Sequence, residues 1–284
     1  MENIVLLNML VLGSIALVAA VILYVVSKKF AVKENPKIAE IEELLPQANC
    51  GGCGKAGCHD FADACAGVDE AGFPQLFCPV GGQAVMDKIA AKLGFQAVAK
   101  EPTVAVLRCN GTCKNAPAKI CYDGVSSCRI ASRISSGQTG CPSGCLRLGD
   151  CVKVCKFDAL HIDPETGIPV VDEDKCTSCG ACVKMCPRQL FEIRPKGKNG
   201  NRVYVACRNT QKGAVARKNC AVACIGCMKC TKINPEIKVE NNLSYIPVSV
   251  SAEEYGAQLA QNCPTGAIIS VSYTHLTLPT NSLV

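Results

Sequence analysis

A long apolar segment opens the chain. Ile4–Val26 holds 23 residues without a charge. At about 1.5 Å per residue, a helix of this length spans roughly 34 Å, enough for a bilayer core of about 30 Å. Lys28, Lys29 and Lys33 follow the segment, whereas only Glu2 is charged before it. The pattern predicts an uncleaved single-pass anchor, with the N-terminus outside and the rest of the chain in the cytoplasm.

Two segments further along the chain have helical periodicity. Pro36–Leu45 places its apolar residues on one face and begins with a proline, which suits the first turn of a helix. Gln83–Leu93 repeats the pattern, and Gly94 is a typical residue to end a helix. The region between and around them is therefore predicted to be a small helical domain.

Short β segments dominate from residue 103 onward. Thr103–Leu107 is a predicted strand. Three further pairs of segments flank turn-rich stretches and are predicted hairpins: Leu160–Asp163 with Ile168–Val171, Leu190–Arg194 with Arg202–Ala206, and Ile237–Val239 with Leu243–Ile246. These pairs alternate with groups of closely spaced cysteines, which indicates an internal repeat.

Cysteine is the residue type that decides the chemistry. The 284 residues include 23 Cys, three His and no Trp. The odd count, the length and the predicted cytoplasmic location argue against a disulfide scaffold. Three His cannot serve an array of zinc fingers that each use two His. Thiolate-bound metal remains, either as iron–sulfur clusters or as zinc held by four thiolates.

The charge pattern adds little to this picture. A net charge of +6 arises from 30 Lys and Arg against 24 Asp and Glu, and the basic residues are scattered. A solvated surface explains this pattern, with a docking face for an acidic protein as the alternative. We find no basic stripe with interleaved aromatic residues of the kind that binds nucleic acid.

One cysteine motif matches the bacterial ferredoxin pattern in every position. It reads Cys176-x2-Cys179-x2-Cys182-x3-Cys186-Pro187. In that pattern three thiolates bind one [4Fe–4S] cluster and the fourth binds the other cluster of a pair. Zinc sites instead use two CxxC pairs separated by a longer loop.

The partner group lies upstream with stretched spacing, and it reads Cys141-x3-Cys145-x5-Cys151-x3-Cys155, with Lys156 in place of the proline. The crossed rule then predicts two sets of ligands. One set is Cys141, Cys145, Cys151 and Cys186, and the other is Cys155, Cys176, Cys179 and Cys182.

A third ferredoxin-like unit retains half of its ligands. Its motif is Cys224-x2-Cys227-x2-Cys230, and Cys263-Pro264 supplies a remote fourth ligand. The ligands of the other cluster are replaced together, by Asn234, Glu253, Gly256 and Leu259. Loss of a complete set is what the crossed rule predicts for a single missing cluster.

The first cysteine group is rich in glycine, which lets the backbone wrap closely around a cluster. Its predicted ligands are Cys50, Cys53, Cys58 and the remote Cys78, while Cys65 is expected to be a thiol of the helix core. The remaining cysteines are further candidate ligands, for which a fifth site and buried core thiols stay open alternatives: Cys109, Cys113, Cys121, Cys128, Cys207 and Cys220. We therefore predict at least four [4Fe–4S] clusters and at most six.

No Walker loop, Rossmann unit or hydrolase triad is found in the sequence, and the three His are not part of any motif. The sequence therefore indicates a carrier of electrons with no catalytic residue that turns over an organic substrate. The alternatives are the electron-input subunit of another membrane reductase or hydrogenase, and a zinc-bound interaction module.

The anchor, the Cys50–Cys78 group and the ferredoxin repeats together resemble the B-type subunit of the Rnf ion-translocating electron-transport complex. The resemblance implies a bacterial inner-membrane complex that passes electrons between ferredoxin and NAD, coupled to movement of Na⁺ or H⁺. It implies soluble ferredoxin and the membrane and flavin subunits of the complex as partners. Nucleotide, flavin and ion sites would lie on those other subunits.

The predicted fold class is α+β: a transmembrane helix, a small helical [4Fe–4S] domain and tandem bacterial-type ferredoxin-like domains. The predicted boundaries are an anchor at 1–33, a first cluster domain at 34–100, a Cys-containing linker at 101–139, a two-cluster domain at 140–200 and a one-cluster domain at 201–271. Residues 272–284 resemble translated adapter sequence and are predicted to be a non-native tail.

Overall fold

The computed structural model describes residues 2–29, 35–135, 137–197 and 200–271. The tail predicted at residues 272–284 lies outside these residues. Helix α1 (Glu2–Lys29) contains the apolar segment, and its stretch Asn8–Lys29 is long and apolar enough to cross a membrane, with none of it buried against the rest of the protein. This finding supports the predicted membrane anchor.

The first domain is helical, as the sequence pattern predicts. Its helices are α2 (Pro36–Leu44), α3 (Cys58–Gly67) and α4 (Gly82–Leu93). The side chain of Asn35 caps α2 by accepting a hydrogen bond from the Lys37 backbone N–H at 3.1 Å. Gly94 ends α4 in the left-handed conformation, at φ 78°. The core contains Ile41, Phe61, Phe73 and Ile89, which are all buried.

The next unit is built from two pairs of strands and three short helices. The elements are β1 (Thr103–Leu107), α5 (Cys128–Ile134), α6 (Asp150–Lys153), β2 (Leu160–Ile162), β3 (Pro169–Val171), α7 (Ala181–Met185) and β4 (Phe191–Pro195). β2 and β3 form the predicted hairpin. β1 pairs with β4, so that the first and last strands of the unit close it.

The last unit repeats this plan. Its elements are β5 (Arg202–Val205), α8 (Gly213–Asn219), β6 (Lys238–Glu240), β7 (Leu243–Tyr245), α9 (Ala252–Asn262) and β8 (Ile268–Val271). β6 and β7 form the predicted hairpin, and β5 pairs with β8. Both units therefore have an inner hairpin and an outer pair of strands.

One predicted hairpin is wrong, and the correction moves a domain boundary. Leu190–Arg194 and Arg202–Ala206 do not pair with each other, because each segment pairs with a strand at the far end of its own unit. β1 lies in the predicted linker at 101–139, yet it is an integral strand with four buried residues. The strand pairing thus groups residues 103–195 into one unit and residues 202–271 into the next.

The outer strands of the two units pack against each other, and buried arginines connect them. Val104 and Val106 of β1 contact Tyr204 and Ala206 of the second unit. Arg194 of β4 donates to the Val203 carbonyl at 3.1 Å and to the Ile246 carbonyl at 2.8 Å. These bonds, buried within the protein, fix one unit relative to the other.

Glu192 balances the charge at this interface. It forms ion pairs with Arg108 at 3.3 Å and with Arg194 at 3.2 Å. Both guanidinium groups also lie over the ring of Tyr245, 5.2 Å and 5.5 Å from its centroid. Burial lowers the pKa of Arg108, although Glu192 opposes the shift.

Arg194→Ala is expected to lower the free energy of unfolding by about 3 kcal/mol, because it removes one of the two ion pairs of Glu192 and leaves two buried carbonyls without the guanidinium donor. Arg133→Ala, on the exposed end of α5, serves as the control. Urea unfolding of the two variants, followed by visible absorbance, measures the difference. Equal midpoints would show that the buried arginine does not connect the units.

Candidate metal centres

Among the residues that the structure describes there are five candidate sites, which we number I to V. Site II lies inside the unit formed by residues 103–195. One cavity is lined by four thiols: Cys155, Cys176, Cys179 and Cys182. Ser178 adopts a left-handed conformation (φ 58°) and its hydroxyl donates to the Thr103 carbonyl, which fixes the ligand loop on β1. The crossed rule predicts this grouping, in which Cys155 joins the thiols of the following motif.

Site III occupies the other end of the same unit. Its cavity is lined by Cys128, Cys145, Cys151 and Cys186. Cys128 begins α5, and its neighbours hold it there, because the Ser127 hydroxyl and the Arg129 N–H both donate to Asp150, at 3.0 Å and 3.1 Å. The predicted grouping therefore needs one correction, since Cys128 rather than Cys141 accompanies the other three thiols.

Site IV lies between the two units and combines cysteines that are far apart in the sequence. Its cavity is lined by Cys109 and Cys141 of the first unit and Cys207 and Cys220 of the second, and also by Cys145, which lines the cavity of site III as well. The amide of the buried Asn209 donates to the Cys141 sulfur at 3.5 Å. Sequence spacing did not predict this set, because the packing of the two units brings its halves together.

Site V lies in the second unit and matches the predicted set. Cys224, Cys227, Cys230 and Cys263 line one cavity. Burial by itself would raise the pKa of Cys263, but hydrogen bonds from the backbone and hydroxyl of Thr265 and from the backbone of Ile268 and Ala267 lower it.

The structure explains how the second unit tolerates the loss of its other ligand set. α9 fills that region, and the side chain of Leu259 is completely buried there. A Cβ atom on Gly256 would lie 2.5 Å from the Ser270 hydroxyl oxygen, so the helix packs tightly on β8. Asn234 turns its side-chain oxygen to the Glu236 N–H at 2.8 Å. Three of the four residues at the positions of the missing ligands are therefore buried in the unit, namely Asn234, Gly256 and Leu259, while Glu253 is exposed.

Site I is the predicted set of Cys50, Cys53, Cys58 and Cys78 in the helical domain, and the structure brings Cys53 and Cys58 near Cys78. Burial raises the pKa of Cys78, and the nearby Cys53 and Cys58 raise it further against hydrogen bonds from Gly81 and Val80. The Asn49 side chain accepts from the Cys58 N–H at 2.8 Å and so holds the ligand loop at the start of α3.

Three cysteines line none of the five sites. Cys65 is buried inside α3, as expected for a core thiol, and burial raises its pKa to about 12. Cys113 and Cys121 are exposed. The segment from Cys109 to Cys128 therefore does not form one site. Cys109 belongs to site IV and Cys128 to site III, whereas Cys113 and Cys121 belong to no site.

The donor set fits [4Fe–4S] clusters. Backbone N–H groups point at ligand sulfurs in four of the sites: Gly52 to Cys50 at 3.4 Å, Ala159 to Cys155 at 3.4 Å, Arg147 to Cys145 at 3.4 Å and Asn209 to Cys207 at 3.5 Å. Such bonds stabilise thiolates and tune cluster potentials. In the residues that the structure describes, no three Cys, His, Asp or Glu side chains approach closely enough to share one ion. At sites II, III, IV and V the thiols instead line a cavity, as expected for ligands that surround a cluster.

The burial of several ligand thiols indicates that bound iron would be needed to keep them in the thiolate form. Burial raises the pKa of Cys145, Cys151 and Cys182 to about 12 each, so these thiols are protonated at neutral pH without a cation. Iron would hold them as thiolates, and its binding free energy would then stabilise the fold.

Comparisons with known proteins support the presence of [4Fe–4S] clusters. A family model described as a 4Fe-4S dicluster domain matches residues 139–190, and one described as a putative Fe-S cluster matches residues 45–67. The chain is 40% identical to the B-type subunit of the proton-translocating ferredoxin:NAD(+) oxidoreductase complex of Clostridium ljungdahlii, over 95% of this chain and 93% of that protein.

Two further relatives carry related names. The chain is 38% identical to the B-type subunit of the Na(+)-translocating ferredoxin:NAD(+) oxidoreductase complex of Acetobacterium woodii, over 94% of this chain and 78% of that protein. It is also 38% identical to the B-type subunit of the ion-translocating oxidoreductase complex of Methanosarcina acetivorans, over 83% of this chain and 86% of that protein.

Cys128→Ala tests the revised membership of site III. We expect iron content to fall by about one to four atoms per chain, because a cube held by three thiolates loses one iron or dissociates. Cys113→Ala, in the same segment but exposed, is the matched control. Iron and acid-labile sulfide are measured on anaerobically purified protein. Full iron in the Cys128 variant, or an equal loss in both variants, would contradict the assignment.

Proposed function

Since the chain belongs to the family of B-type subunits of ion-translocating ferredoxin:NAD(+) oxidoreductase complexes, the Rnf family, we propose that it is the membrane-anchored electron-transfer subunit of such a complex. It binds [4Fe–4S] clusters and has no substrate-turnover residues of its own. Its partners are the membrane and flavin subunits of the complex and soluble ferredoxin. α1 anchors it in the bacterial inner membrane, with the N-terminus outside and the cluster domains in the cytoplasm.

Five clusters are held by the five sites, each by four thiolates. The observation that carries this proposal is the convergence of four thiols around one cavity at sites II, III, IV and V. Five sets of four leave three of the 23 cysteines without a cluster. When bound, the clusters supply one-electron chemistry, and the chain positions them, shields them from water and sets their hydrogen bonds.

Neighbouring sites are close enough for their thiols to interact electrostatically. In addition to burial, the Cys151 thiol of site III raises the pKa of Cys182 of site II. The Cys109 thiol of site IV likewise adds to the effect of burial and raises the pKa of Cys145 of site III. In the same way, beyond burial, the Cys207 thiol of site IV raises the pKa of Cys224 of site V. This continuity supports a relay that runs from site II through sites III and IV to site V.

Site V is the end of the relay that meets ferredoxin. Its ligand Cys227 and the adjacent Met228 are exposed. Lys229 and Lys232, which flank the ligand Cys230, are also exposed and offer positive charge to an acidic partner. A donor docked here would lie next to the most exposed of the ligands of site V.

The cluster count is tested on the purified wild-type chain and two variants. We expect about 20 iron atoms per wild-type chain, with reduced ferredoxin bleaching the visible absorbance. Cys220→Ala should lose site IV alone, whereas Cys121→Ala, an exposed thiol outside every site, should keep all iron. Stoichiometric zinc without sulfide would refute the electron-transfer function, and full iron in the Cys220 variant would refute the fifth cluster.

The docking proposal is tested by charge reversal. Lys229→Glu combined with Lys232→Glu should raise KM for reduced ferredoxin roughly tenfold and weaken its salt dependence, because two attractive charges become repulsive. Lys37→Glu combined with Lys88→Glu, at exposed positions of α2 and α4, makes the same change in net charge and is the control. Steady-state reduction by ferredoxin at two ionic strengths gives both quantities. Identical KM values in the two variants would place the docking surface elsewhere.

A further inference from the structure

The loop that carries site I presses directly against a ligand of site II. Gly52 lies between the ligands Cys50 and Cys53. A Cβ atom at Gly52 would lie 2.9 Å from the Cα atom of Cys179 and 3.0 Å from its carbonyl oxygen. Side chains do not tolerate such distances to backbone atoms. Glycine is needed here for close approach and not for a left-handed conformation, because its φ is not positive.

Two lysines also contact the same loop. Lys156 donates to the carbonyls of Ala48 at 3.4 Å and Asn49 at 3.5 Å. Lys184 donates to the Gly51 carbonyl at 3.5 Å. Each lysine is close in sequence to a site II ligand, since Lys156 follows Cys155 and Lys184 is two residues after Cys182.

The three contacts share one property. Each contact connects the loop of site I with site II. Gly52 approaches the ligand Cys179, whereas Lys156 and Lys184 are close in sequence to site II ligands and bind carbonyls of the site I loop. None of the three residues is itself a ligand. The lysine at position 156 replaces the proline of the ferredoxin pattern. A proline there has no side-chain donor and could not bind the two carbonyls. The lysine therefore makes a contact with the site I loop that the ferredoxin pattern does not provide.

We infer that Gly52, Lys156 and Lys184 form an electron-transfer junction that connects site I to the relay at site II. The inference rests on the proposed function. One electron passes between the two sites, so one cluster is oxidised as the other is reduced, and no bond is formed or broken. Tunnelling weakens steeply with distance, so the close approach at Gly52 is what makes this exchange fast. The relay then runs through all five sites, from I to V.

The test uses variants that keep every ligand. Gly52→Ala pushes the loop away from Cys179, and the double variant Lys156→Ala with Lys184→Ala removes the ammonium contacts. Gly67→Ala is the matched glycine control, because a Cβ atom there meets nothing within 4 Å. Lys88→Ala is the control for the lysines. All proteins are purified anaerobically and their iron is counted first.

Two readouts report the junction independently of turnover. Amide hydrogen exchange across residues 48–53 should become roughly tenfold faster in both junction variants and stay unchanged in the controls. Magnetic coupling between the two clusters in the EPR spectrum of the reduced protein should be lost. If Gly52→Ala lowers the iron content, the lysine variant decides.

The outcomes separate the junction from the proposed function. Full iron with unchanged coupling in the lysine variant, whether or not exchange is faster, would overturn the junction and leave the function intact. A wild-type chain that lacks clusters, or is not reduced by ferredoxin, would instead overturn the function. Faster exchange and lost coupling at full iron would support both.

Discussion

Convergence of buried thiols from distant segments is the constraint on which this structure depends. Sites III, IV and V each combine cysteines separated by more than thirty residues, and site IV joins both ferredoxin-like units. Burial raises the pKa of Cys145 and Cys151 of site III, and of Cys182 of site II, to about 12, so the thiolate form needs a cation. Metal binding and tertiary folding are therefore expected to be coupled. The ligands of a site come together only when the chain folds, and the folded chain needs the metal to hold its buried thiolates. The chain has only 13 Phe and Tyr in 284 residues and no Trp. Metal binding would supply the stability that a larger aromatic core otherwise provides.

The interface between the two ferredoxin-like units combines apolar packing with charge. Arg194 bonds to two carbonyls of the second unit, and Glu192 compensates the charges of Arg194 and Arg108. Breaking one partner of such a buried set costs more than the set contributes, so the contacts favour a single arrangement of the units. That arrangement aligns the two halves of site IV, which links packing directly to electron transfer.

Loss of a cluster and gain of a junction show how the ferredoxin pattern has been adapted. In the second unit, α9 and the buried Leu259 fill the space beside site V. In the first unit, the proline that normally follows the fourth cysteine is Lys156, whose ammonium group contacts the loop of site I. Both departures from the pattern are explained by packing against another part of the same chain.

The sequence alone predicted the anchor, the helices α2 and α4, the strand Thr103–Leu107 and the inner hairpins, because hydrophobic periodicity is a local property. It also predicted the candidate ligands of sites I, II and V, because cysteine spacing follows known cluster motifs. Tertiary structure decided the rest. Thr103–Leu107 pairs with β4 across almost ninety residues, which overrides the predicted hairpin. Cys141 joins Cys207 and Cys220, and Cys128 replaces it, because strand pairing and the packing of two units set these distances. Sequence spacing carries no information about thiols that only folding brings together.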